Sequence, residues 1–71
     1  MFFQNAIDGM YVNPLFSEMF DRAKVQYDVD YYCMCITFKS TNEEAPLTDD
    51  EKALITDWYH RNIHGGTVKF K

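Results

Sequence analysis

One apolar, β-prone run, Tyr31 to Lys39, lies between two segments that each carry a helix-start signal. That arrangement limits the chain to folds that mix a sheet with helices. The first signal is Asn13-Pro14. An Asn side chain accepts from the free N–H groups of a first turn, and Pro at the first helical position gives up an N–H that had no partner. Phe16, Met19, Phe20, Ala23 and Tyr27 then recur at helical spacing, so a helix is expected from Pro14 to about Tyr27, with Glu18 and Arg22 paired on its polar side. The second signal is Thr48-Asp49-Asp50-Glu51, a capping box whose acids also suit the helix dipole. Leu54, Ile55, Trp58 and Tyr59 give that helix its apolar face, and Gly65-Gly66 supplies a left-handed stop after Asn62 or His64.

Between the helices, Asp28-Val29-Asp30 reads as a turn. From Tyr31 onward, alternation sets Tyr32, Met34, Ile36 and Phe38 on a core face and Tyr31, Cys33, Cys35, Thr37 and Lys39 on the other. Ser40 to Pro46 is a loop, and Thr67 to Phe70 closes as a short strand, either antiparallel to the central one or parallel through a right-handed crossover. Asp8-Gly9 between Ala6-Ile7 and Met10-Tyr11-Val12 is a hairpin signal, with a short helix or an irregular arm as alternatives. The expected fold is therefore α+β: a small single-layer β-sheet packed against two amphipathic helices, in the order (ββ)αβαβ or αβαβ. Residues 1–71 form one domain, and residues 1–12 its N-terminal arm or hairpin.

Length and composition exclude several classes. At 71 residues there is room for one core, which buries only about 60–65% of the unfolded surface. Stability of a few kcal/mol follows unless a metal, disulfide or oligomer adds to it, and most closed-cleft enzymes need more chain. Twelve aromatics beside two prolines and three glycines exclude disorder. The longest mostly apolar stretch, Tyr31 to Phe38, falls far short of the roughly 20 residues of a membrane span. No Lys or Arg precedes Arg22, so the basic flank of a secretory signal is missing and a cytoplasmic protein is expected. Eleven acids against seven Lys and Arg leave a net charge of -4. The bases, from Arg22 to Lys71, are scattered rather than clustered, so no direct nucleic-acid contact is expected.

Cys33-x-Cys35 with His60-x-x-x-His64 has the residue types of a structural zinc site. Geometry opposes it, because His60 and His64 fall opposite the apolar face of their helix, beside Asp57. Same-face neighbours on a regular strand also stand too far apart for easy chelation or bridging. No His or helix N-terminus is placed to activate either thiol. His64-Gly65-Gly66-Thr67 follows a helix instead of leading into one, so it is not a phosphate loop. No catalytic residue, metal or cofactor is expected; a small enzyme or ligand-binding subunit using the face of Asp57, His60 and His64 is a third reading.

Glu43, Glu44, Asp49, Asp50 and Glu51 put five acids in nine residues. Capping and solvation account for most of them, and docking on a basic surface is the functional alternative. The core absorbs Phe16, Phe20, Tyr32, Phe38, Trp58 and Phe70, which leaves Phe2, Phe3, Tyr11, Tyr31 and Tyr59 near the rim. Aromatic residues are enriched at interface centres. The leading expectation is a non-enzymatic module that regulates or inhibits a larger protein through Glu43, Glu44, Asp49 and Asp50 together with Tyr31, Tyr59, Phe2, Phe3 and Tyr11. A virus- or mobile-element-encoded inhibitor of a host nucleic-acid machine is one concrete form, its partner a nucleic-acid-binding protein; the surplus aromatics suit equally an N-terminal arm that folds back to fill the core and a homodimer or binding face, and no membrane is involved. The alternative is a zinc-stapled structural module using Cys33, Cys35, His60 and His64.

Overall fold

Val25-Gln26-Tyr27-Asp28-Val29-Asp30 alternates apolar and polar side chains with a period of two, which suits a strand lying with one face on a core. In the computed structural model, which describes residues 3–71 and the backbone alone for residues 3 and 4, this segment is β1 (Val25–Asp30). It pairs antiparallel with β2 (Cys35–Ser40), and β3 (Thr67–Phe70) adds parallel to the other edge of β2. Three helices complete the fold: α1 (Phe3–Val12), α2 (Pro14–Ala23) and α3 (Asp49–Asn62), with α3 forming the β2-to-β3 crossover. The class is α+β, as expected, and the order is ααββαβ.

The register lines up Tyr27, Phe38 and Phe70 across the sheet, and Val29, Ile36 and Val68 beside them. These face the helices. Aromatic rings run through the layers from Tyr11 to Phe20 (4.7 Å between centroids), Phe20 to Phe38 (5.7 Å) and Phe38 to Phe70 (5.8 Å), all within the range of favourable ring pairs. The opposite sheet face carries Gln26, Asp28, Thr37 and Lys39, which with Tyr27 and Lys71 line a shallow hollow of about 120 Å³.

Four departures from the expected elements have physical causes. The Asp8-Gly9 segment takes the short-helix alternative and not the hairpin, because Ala6, Ile7 and Met10 make a helical stripe that is fully buried. An Asp-Gly pair directs a hairpin only when strands flank it. Next, α2 stops at Ala23: Lys24 takes a left-handed φ of 49° and donates its N–H to the Asp21 and Phe20 carbonyls. Neither Gly nor Pro marks that stop. It is secured instead by the loop after β2, where Thr41 and Asn42 N–H groups reach the Ala23 carbonyl, Thr41 Oγ1 donates to Lys24 O (2.7 Å) and Asn42 Nδ2 to Arg22 O (2.8 Å). Residues 28–30 accordingly lie in β1, and the turn falls at residues 31–34.

Third, Tyr32 and Tyr59 exchange their expected places. Tyr32 stands in the turn and is 100% exposed, whereas Tyr59 is fully buried. In α3 the buried ridge is Ile55 and Tyr59, continued by Ile63 just past the helix end, so Leu54 is 37% exposed and Trp58 sits on the flank, edge-on to Phe16 at 5.6 Å. Fourth, Arg22 turns from Glu18 to Glu51. The glycine stop is present but displaced: Gly65 takes φ +84° two residues beyond the extended cap Ile63, and a Cβ on Gly66 would lie 2.8 Å from the Tyr59 ring. That close approach carries the chain over Tyr59 into β3.

Candidate functional site

β1 leads away from the end of α2 and β2 returns to it, so the turn at residues 31–34 and the loop at residues 41–48 occupy opposite ends of the hairpin. Six strand residues separate them, roughly 20 Å. The acids and tyrosines expected to share one contact surface are thereby divided between two places.

At the loop end, Arg22 accounts for much of the local electrostatics. Its guanidinium grips Glu51 in a fork (2.7 and 2.5 Å) and donates to the Pro46 carbonyl at 3.1 Å and the Ala45 carbonyl at 3.4 Å. Glu51 also completes the capping box, accepting from Thr48 N at 2.9 Å while Thr48 Oγ1 accepts from Glu51 N at 3.2 Å. The Arg22 hydrogen bond, with the Thr48 N–H behind it, holds the Glu51 carboxyl down at about 2. An open groove of about 310 Å³ lies beside this pair, lined by Leu15, Glu18, Met19, Arg22 and Glu51. Glu43, Glu44, Asp49 and Asp50 are exposed on the loop and the first turn of α3.

At the turn end, Asp30 Oδ1 accepts from Tyr32 N at 3.0 Å, an Asx turn that closes the hairpin. Tyr31 is 62% exposed next to Tyr32. Met34 takes a left-handed φ of 53°, and its carbonyl accepts from Thr67 N at 3.0 Å and from the Tyr59 hydroxyl at 3.4 Å. Burial, with Cys35 nearby, pushes the Tyr59 hydroxyl up to about 12, so it stays a neutral donor. Cys33 lies in the turn, not on the strand, and its thiol faces Cys35 with the sulfurs 2.6 Å apart. The hydrogen bond to Cys35, then burial and Asp30, push the Cys33 thiol up to about 11.

The remaining expected site residues are scattered. Tyr11 is half-buried in contact with Phe20 and Tyr27. Its hydroxyl is buried with no hydrogen-bond partner among the described residues, and burial raises it to about 12. Tyr59, as noted, is a core residue and presents no contact surface. Phe2 lies outside the described residues, as does the side chain of Phe3. His60 and His64 are exposed and Asp57 pairs with Arg61 at 3.1 Å. Among the described residues no three His, Cys, Asp or Glu side chains gather as a metal site, so the four zinc-type residues are not brought together. None of the described helices is long and apolar enough to cross a membrane.

Tyr32, expected on the strand, stands in the turn, and Asp28 and Asp30, expected in the turn, end β1 beside it. The period-two alternation of residues 25–30 was the available signal, since it moves the turn to residues 31–34. Compared with known proteins, the chain matches no family model, no curated protein and no solved structure. Its chemistry is read from its own residues.

Proposed function

We propose that this protein is a non-enzymatic binding module that regulates a larger protein, and that the hairpin tip is its contact end. The observation that carries this reading is the exposure of Tyr31 and Tyr32 side by side on a turn fixed by Asp30. Two large aromatic side chains cost free energy in water, and tyrosine gives a partner much contact area for little lost rotamer freedom. Asp28 and Asp30 flank the pair on β1, so the fitting partner presents an apolar pocket with a basic rim.

A second reading keeps Glu43, Glu44, Asp49 and Asp50 as a docking patch for a basic surface, such as that of a nucleic-acid-binding protein. Exposure of all four favours it, while Glu51 is used internally. Capture of partners by the immobilised protein from its native host, followed by mass spectrometry, separates the two readings. The tip reading expects a partner that wild type retains and a Tyr31→Ser, Tyr32→Ser variant loses. Loss instead from a variant carrying Gln or Asn at the four acids, with the tyrosine variant unaffected, transfers the contact to the loop end. Sedimentation of the free protein tests whether a second copy is the partner.

A further inference from the structure

Cys33 shares the turn of Tyr31 and Tyr32, yet neither binding reading uses its thiol or that of Cys35, and the geometry of the pair supports chemistry of its own. Two thiols two residues apart on a regular strand point the same way and stay too far apart to bond. Here the strand begins only at Cys35. Left-handed Met34 between the two residues folds the backbone so that the sulfurs face each other at 2.6 Å. The turn is held on both flanks, by the Asp30–Tyr32 hydrogen bond and by the Thr67 and Tyr59 donors on the Met34 carbonyl. Cys33 is exposed and Cys35 is half-buried, so an external disulfide reaches Cys33 first and Cys35 stands behind it to resolve the adduct.

We propose that Cys33 and Cys35 form a reversible dithiol–disulfide couple that exchanges with small external disulfides. Cys33 attacks one sulfur of RS–SR through the small thiolate fraction that its raised value leaves, so the step quickens as pH rises; a Cys33–SR bond forms, the S–S bond of the reagent breaks, and RS⁻ leaves and takes up a proton. Cys35 loses its own proton and attacks Cys33 Sγ. The Cys33–SR bond then breaks and the second RS⁻ leaves as RSH. In sum, the dithiol is oxidised by two electrons to a Cys33–Cys35 disulfide, and RS–SR is reduced to two RSH. The loop this bond closes is very short, so it restricts the unfolded chain little, and an exposed bond of this kind belongs with the readily reduced, labile ones. Asp30, whose carbonyl lies 4.0 Å from Cys33 Sγ and whose charge bears on that thiol, favours a cationic disulfide over an anionic one.

The test uses the full reduced chain, treated with cystamine or glutathione disulfide at equal concentration, quenched in acid, alkylated and weighed intact. The expected product has lost two hydrogens and accepts no alkyl group, and the mixed disulfide is only transient. Cys35→Ser should stop at a stable adduct on Cys33, and Cys33→Ser should react at least tenfold more slowly. Ring closure in the wild type should slow at least tenfold in unfolding urea. Asp30→Asn, which keeps an Asx-turn acceptor, should narrow the advantage of cystamine. A wild-type end product that is the mixed disulfide, or closure equally fast folded and in urea, overturns the proposal. The readout needs no protein partner, so it stands or falls apart from the binding reading.

Discussion

Where β2 runs toward α3, Arg22 holds Glu51 and two loop carbonyls, Thr48 and Glu51 cap each other, and Asn42 seals the end of α2. At the other end of the same hairpin, one Asx turn and the Met34 carbonyl fix the backbone while Tyr31, Tyr32 and Cys33 face outward. The contrast separates two uses of polar sequence. Loop-end side chains spend their hydrogen bonds on groups that helix ends leave unpaired, whereas tip side chains are presented by a backbone fixed from beneath. A rigid, outward-facing tip costs less to order when it binds than a loose one.

The largest expected effect tests whether the tip is truly held from the core. Tyr59→Ala removes a fully buried ring and the donor to Met34, so it should cost about 3–5 kcal/mol, most of the stability of a domain this size. Urea titration followed by Trp58 fluorescence would measure it; a cost below about 1 kcal/mol would break the claim that Tyr59 supports the turn. Next comes the loop end. Asn42→Ala removes the donor to the Arg22 carbonyl and should cost about 0.5–1.5 kcal/mol in the same titration.

Two hydroxyl deletions then refine the picture from within the core. Tyr59→Phe should cost about 1 kcal/mol, whereas Tyr11→Phe should gain about 1 kcal/mol by removing a buried hydroxyl that has no partner among the described residues. Equal signs in thermal melts would contradict the assignment. Glu51 makes the loop end acid-sensitive. Its folded value near 2 lies below the unfolded 4.5, so its contribution is complete above about pH 4.5 and is lost as pH falls toward 2. Solvent screening limits the effect to about 1 kcal/mol or less. Glu51→Gln keeps the capping geometry and should flatten stability between pH 5 and 2, measured by urea midpoints at each pH (range set by the same values). The smallest effect belongs to the tip: Tyr31→Ser and Tyr32→Ser should each change stability by less than about 0.5 kcal/mol while removing partner binding.

Much of the fold was legible where the signal is local. The Asn13-Pro14 start, the Thr48–Glu51 capping box and the Thr67–Phe70 strand all lie where their residues point, because each helix start satisfies its own backbone groups within one turn and the strand is a short alternating run set off by glycines. The end of α2 was not legible, since its cap comes from Thr41 and Asn42, about eighteen residues onward. The same displacement hid the tip. Tyr27 fits the helical stripe of α2 as well as the alternation of β1, and only the cap at Lys24 decides between them. The cysteines follow from this, since moving the turn to residues 31–34 takes Cys33 off the strand.

What the sequence by itself determined is an α+β chain with one core, two strong helix starts and an acidic stretch that begins α3. Only the tertiary structure decided which aromatics are spare, which acids are occupied and whether the two thiols can meet. Those outcomes depend on pairings between distant segments: a loop capping a helix, an arginine crossing to a second helix, and a glycine passing close over a tyrosine ring. Short-range periodicity carries no information about such pairings, because their free energy is gained only when the remote partner arrives.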